Sequence, residues 1–133
     1  MMHAAAVLFF LTIPLLAPGQ DKEAWRENID TAIEEGIRLL EAKEYVTFVK
    51  SFISPKELEQ VKQEMSWEEL ASRFERDGNA ATLLKVFKAI KGQKPEQTED
   101  DGRKMRFAVP KELKAPRSDI VFVKIGKYWY LSN

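Results

Sequence analysis

The chain has 133 residues, 44% of them apolar and 32% charged, the make-up of one globular domain rather than a disordered segment. Lys plus Arg and Asp plus Glu each number 21, so no global field steers the chain to nucleic acid or an anionic membrane. There is no basic cluster and no nucleic-acid motif, which argues against a DNA- or RNA-binding role.

The first twenty residues, MMHAAAVLFFLTIPLLAPGQ, carry no Lys, Arg, Asp or Glu and are apolar from Ala4 to Ala17 apart from Thr12. Residues 1–19 read as a secretory signal peptide, cleaved after Gly19 with Ala17 at the minus-three position. The apolar stretch falls short of the about 20 residues of a spanning helix, and Pro14 and Pro18 interrupt it. Only the α-amino group and His3 stand where Lys or Arg is usual, which leaves an uncleaved membrane anchor as the alternative. No Cys follows, so a lipoprotein anchor is excluded. The expectation is an exported protein, periplasmic or secreted, with a single domain over residues 20–133.

The chain has no Cys and one His, His3, which leaves with the leader. The mature domain therefore has no disulfide to rely on and must be held by its core; at this size about two-thirds of the unfolded surface is buried on folding, which suffices. Without His or Cys it cannot use an imidazole base, a thiolate nucleophile or a conventional zinc site, and no cofactor or metal is expected.

Trp25, Ile29, Ile33, Ile37 and Leu40 recur every three or four residues with charged residues between them, which predicts an amphipathic helix. Gly36 lies inside it at a cost of about 1 kcal/mol relative to Ala, reflecting either the close approach of another element or a plain weakness. After a break near Ala42-Lys43-Glu44, a second stripe runs through Tyr45, Phe48, Val49 and Phe52. Ser54-Pro55-Lys56-Glu57 and Ser66-Trp67-Glu68-Glu69 each set Ser three residues before Glu, the pattern of a capping box, and Pro55 suits a first helical position. Leu58, Val61 and Met65 mark one short helix; Trp67, Leu70, Ala71 and Phe74 mark another that stops at Gly78. Asn79 is expected to cap the next, with its stripe at Leu83, Val86, Phe87 and Ile90 and its end at Gly92. Lys91-Gly92-Gln93-Lys94 is a helix stop and no phosphate cradle.

Beyond Lys94 the period changes to two. Met105, Phe107 and Val109 alternate with Lys104, Arg106 and Ala108, and Asp101-Gly102 is the expected turn back to a weaker strand over 96–99. Glu99-Asp100-Asp101-Gly102 lacks the spaced ligands of a calcium loop and reads as a turn. Pro110 and Pro116 bracket a connection, and strands follow over 120–125 and 127–131. The predicted fold is α+β, with N-terminal helices packed on one face of a C-terminal antiparallel sheet of about four strands. A two-residue turn at Gly126 puts Ile120, Phe122, Lys124, Trp129 and Leu131 on one face and Val121, Val123, Ile125, Tyr128 and Tyr130 on the other. The Trp129 face is assigned to the helices.

Leu40-Glu41-Ala42-Lys43-Glu44-Tyr45 is similar to the turn into the second helix of the nuclear-transport-factor-2-like, or ketosteroid-isomerase-like, superfamily. Phe122 to Leu131, with its Gly126-Lys127-Tyr128-Trp129 element, resembles the closing hairpin of that superfamily, especially of its small exported, lumazine-binding-like branch. The resemblance covers most of residues 21–133 and implies a cone between helices and sheet. Two departures stand out. Larger relatives insert a strand pair where Ser66 to Asp77 reads here as helix, and no enzymatic motif of the superfamily can be matched residue by residue.

The expected function is a non-catalytic binding or interaction module. One version encloses a small apolar ligand in a helix-sheet pocket lined by Tyr45, Phe48, Phe52, Phe87, Phe107 and Trp129. Another uses the outer sheet face, Val121, Val123, Ile125, Tyr128 and Tyr130, for a protein partner or a second copy, with Lys104 and Arg106 sharing that face. The alternative from another class is an isomerase- or dehydratase-like enzyme with a carboxylate base, for which Glu44 beside Tyr45 is the candidate.

Overall fold

Asn28 opens the first helix, α1 (Ile29–Glu41): its side-chain oxygen accepts from the backbone N–H of Asp30 at 2.8 Å and of Thr31 at 3.3 Å, satisfying donors that lack an intrahelical partner. The protein is described by a computed structural model over residues 22–132, so the expected leader, 1–19, lies outside the described residues. Trp25, expected inside α1, stands before it in a short 3₁₀ turn, Ala24–Glu27, with its ring 5.9 Å from that of Phe52. The cap at Asn28, invisible to a count of apolar spacings, is what separates them.

The α1 stripe is buried as expected at Ile33, Ile37 and Leu40, joined by Ala32 and Leu39. A Cβ built on Gly36 would lie 2.5 Å from Phe87 Cε2 and 3.1 Å from Phe52 Cζ. The glycine is thus explained by close approach: two rings occupy the space a side chain would take. The chain then breaks at Ala42-Lys43-Glu44, where Lys43 adopts a φ of 59°, before α2 (Tyr45–Phe52) buries Phe48, Val49 and Phe52.

Helix α3 (Pro55–Glu64) begins with Pro55 and buries no side chain fully. Its expected Ser cap is different in kind, because the Ser54 hydroxyl donates to the Glu57 carboxylate at 3.0 Å and makes no bond to a backbone N–H. At α4 (Trp67–Arg76) the cap forms as read, Ser66 Oγ accepting from Glu69 N at 3.1 Å. Lys50 of α2 places its ammonium 4.9 Å from the centroid of Trp67, holding the start of α4 against α2.

Helix α5 (Asn79–Ile90) corrects one expectation. Asn79 is its first residue and no cap; Gly78, at φ 79°, holds the cap position without a side-chain bond. Only Asp77 and Gly78 separate α4 from α5, and so abrupt a reversal requires the left-handed conformation that glycine adopts without steric cost.

The sheet follows as an antiparallel meander in the order β1 (Gln97–Glu99), β2 (Lys104–Ala108), β3 (Asp119–Ile125), β4 (Tyr128–Leu131). The β1–β2 turn is centred one residue earlier than expected: Asp100 and Asp101 take φ of 55° and 56°, and the carbonyl of Glu99 accepts from Gly102 N at 3.1 Å. Aspartate tolerates left-handed backbone, so the pairing of Glu99 with Lys104 leaves Gly102 and Arg103 to complete the loop. Between β2 and β3 a short 3₁₀ turn, Lys111–Leu113, interrupts the connection.

The β3–β4 register pairs Phe122 with Leu131 and Lys124 with Trp129, which produces the predicted division of faces. Phe107, Phe122 and Trp129 point into the core shared with the helices. The architecture is α+β, five α-helices followed by a four-stranded antiparallel sheet with the helices on one face. Ring-to-ring contacts run from helix layer to sheet: Phe48 stacks on Phe52 at 4.6 Å, Phe52 meets Phe87 at 5.5 Å, Phe87 meets Phe122 at 5.7 Å, and Phe122 meets Phe107 at 5.8 Å. Each such pair adds about 0.5–1.5 kcal/mol beyond the area it buries.

Candidate ligand clefts

The six residues expected to line one pocket do not surround a common space. Phe48, Phe52, Phe87 and Phe107 are at most 2% exposed and Trp129 is 4% exposed, each filled in by neighbouring side chains. Tyr45 is half-buried and sets its ring edge-on to Phe74 at 5.7 Å. Open space lies instead at two margins of this core, and each margin touches one of the six: Phe48 in one case, Phe107 in the other.

The first cleft, about 430 Å³, lies where α2, α4 and α5 meet the sheet. Its wall is built from Leu70 and Phe74 of α4, Leu83 and Val86 of α5, and Ile120 and Leu131 of the sheet. These are the residues that helical and strand periodicity turn toward one another. They do not close completely, and α4 buries no side chain fully. Polar residues also line it, among them Glu57, Arg117 and Asp119. Arg117 pairs with Asp119 at 3.3 Å, and Asp119 also takes a short bond from Arg106.

The second cleft, about 440 Å³, lies between the start of α1 and the loop after α5. Ile29, Ile33, Met105 and Phe107 form its apolar floor; Asp30 and Glu34 stand on one wall, Lys91 and Lys94 on the other. Neither cleft was legible beforehand, since loop residues such as Lys94 and Ala115 line them and loops carry no periodic signal.

On the outer sheet face the expected set divides. Val121 and Tyr130 are buried, Val123 and Tyr128 half-buried, and Ile125 is 44% exposed. Lys104 and Arg106 share that face opposite Val123 and Val121. Nothing in the spacing of residues marks out Arg26, which is only 8% exposed. Its guanidinium lies 4.4 Å from the Tyr128 ring centroid and 5.2 Å from that of Tyr130, donates to the Ser51 carbonyl at 2.8 Å and pairs with Glu23. The first turn of the described chain thereby covers part of the face that the strands alone would leave open.

Glu44, the carboxylate considered as a base, is exposed at the start of α2, lines neither cleft and pairs with Arg38 at 3.3 Å. Arg38 is held above its ordinary pKa first by its hydrogen bond to Glu35 and then by the nearby carboxylate charges. Among the described residues no group of three or more Asp, Glu, His or Cys gathers as a metal site would require, and no helix is long and apolar enough to cross a membrane. Comparisons with protein families, curated sequences and solved structures find no match in any of the three.

Proposed function

We propose that this is a non-catalytic binding module that holds a small apolar ligand in the cleft between α2, α4, α5 and the sheet. The observation that carries the reading is the cleft itself. At about 430 Å³ it falls within the range of ligand pockets, about 300–1,000 Å³, and its lining is mostly apolar, with Glu57, Asn79, Thr82, Arg117 and Asp119 as polar groups that can orient a ligand. The position of Glu44, away from either cleft, supports a binding role over a carboxylate-based isomerase or dehydratase.

The domain is further read as an exported member of the nuclear-transport-factor-2-like superfamily. Support comes from the uncharged apolar leader, the wording of residues 40–45 and 122–131, and the order of helices followed by a meander.

The test is titration of the purified protein with an anilinonaphthalene fluorophore, followed by displacement with a medium-chain fatty acid. One saturable site is expected. Leu83→Trp, which fills the cleft from a half-buried position on α5, should weaken binding at least about tenfold, the equivalent of 1.4 kcal/mol, without lowering the melting temperature. Equal binding by the filled variant removes the proposal.

A further inference from the structure

We propose that the second cleft, between the start of α1 and the loop after α5, binds a small zwitterion with an apolar body, of the chemical class of a free hydrophobic α-amino acid. The inference is independent of the apolar-ligand reading, because it concerns a different space. Asp30 and Glu34 are four residues apart and so share one face of α1, and that face forms one wall; Lys91 and Lys94 form the other.

Elsewhere on this molecule neighbouring opposite charges close on one another, as in Arg38 with Glu35 at 2.6 Å, Lys88 with Glu41 at 2.9 Å and Arg73 with Glu69 at 3.1 Å. Among the described residues, none of Asp30, Glu34, Lys91 and Lys94 has an ion-pair partner within 4.0 Å. Two acids of α1 and two lysines of the loop therefore line one cleft together with Ile29, Ile33, Met105 and Phe107 without closing on one another.

The loop that carries the lysines is fixed. Gly92 takes a φ of 80°, Gln93 donates from its backbone to Ile90 at 3.0 Å and from its side chain to Ala89 at 2.6 Å, and Glu96 N donates to Arg106 at 2.7 Å. The backbone of the loop is thus set by the fold, and the lysines rise from a defined position. A purely apolar occupant would cover the floor but give the four charges no partner. An ion of either single sign would be repelled by one wall. A ligand with an ammonium, a carboxylate and an alkyl or aryl body satisfies both walls and the floor.

Because the charged heads remain exposed, the expected affinity is modest, with a dissociation constant on the order of 1 mM. The experiment is a methyl-labelled NMR titration of the full chain with L-leucine. Saturable shifts are expected at Ile29, Ile33 and Met105. Isocaproate, which lacks the ammonium, and isoamylamine, which lacks the carboxylate, should each bind about fivefold to tenfold more weakly. Asp30→Asn with Glu34→Gln should weaken leucine and isoamylamine but not isocaproate, which loses a repulsive wall, and Lys91→Met with Lys94→Met should weaken leucine and isocaproate but not isoamylamine. These are surface positions, and retained amide spectra check the fold. The proposal is overturned if leucine gives no saturable shift at these methyls, if shifts appear only at Leu83, Val86 and Leu131 of the other cleft, or if the single-charge analogues bind as well as leucine.

Discussion

Replacing Gly36 by Ala sets two effects of known sign against each other. In the interior of an exposed helix the change stabilises by about 1 kcal/mol, because alanine loses less backbone entropy on folding. Here the new methyl would stand 2.5 and 2.8 Å from two carbons of the Phe87 ring and 3.1 Å from Phe52. Phe87 is fully buried and bounded by Phe48 at 5.7 Å, Phe52 at 5.5 Å and Phe122 at 5.7 Å, so it can yield only by moving the ring network with it. Overpacking of this kind costs about 1–3 kcal/mol, and with so close an overlap the upper part of that range applies. The net expectation is a loss of about 1–2 kcal/mol, or roughly 5–10 °C in melting temperature. Urea denaturation of Gly36→Ala measures it directly. Shrinking the obstructing ring with Phe87→Leu should recover part of the loss, a coupling that a double-mutant cycle reads. If Gly36→Ala proves more stable than the parent, the ring is free to move aside and the close approach is no reason for the glycine.

Arg26→Met keeps the aliphatic stem but removes the guanidinium from Tyr128, Tyr130 and the Ser51 carbonyl; a loss of about 2 kcal/mol is expected by urea denaturation. A change below about 0.5 kcal/mol, the level of an ordinary surface substitution, would show the clamp to be idle. Ser66→Ala should cost about 1 kcal/mol, because Ser66 Oγ accepts from Glu69 N. Ser54→Ala should cost well under half of that, since its hydroxyl bonds only to the Glu57 side chain; equal losses in thermal melts would contradict the distinction between the two starts.

The helices and the meander were legible because burial imposes a period, and that period is written directly in the order of residues. Ile33, Ile37 and Leu40 announce α1 by their spacing, and the alternation of Phe122 and Lys124 with Val121 and Val123 fixes which side of β3 meets the helices. Parity is robust: only an odd slip would have reversed it. Local chemistry was less legible. Asn79 is a good capping residue, yet the two-residue reversal before α5 handed the cap position to Gly78. Asp100-Asp101 displaced Asp101-Gly102 at the turn because the strand register, set far from the loop, decides how many residues remain to close it.

The clefts were hardest to foresee. A stripe of Phe48, Phe52 and Phe87 marks an interior but not whether that interior has a gap, because a gap depends on how elements distant in sequence tilt against one another. Arg26 was missed for a related reason. A charged residue near a chain end reads as solvated, and only the two tyrosine faces and a carbonyl contributed from much later positions make its burial tolerable.

The seat of Arg26 on β4 binds the earliest described turn to the latest strand. Ribosomal synthesis delivers these partners at opposite times, so the growing polypeptide has no finished interior to collapse around until Trp129 and the two tyrosines leave the exit tunnel. A chain stalled short of β4 would hold formed but unsupported helices.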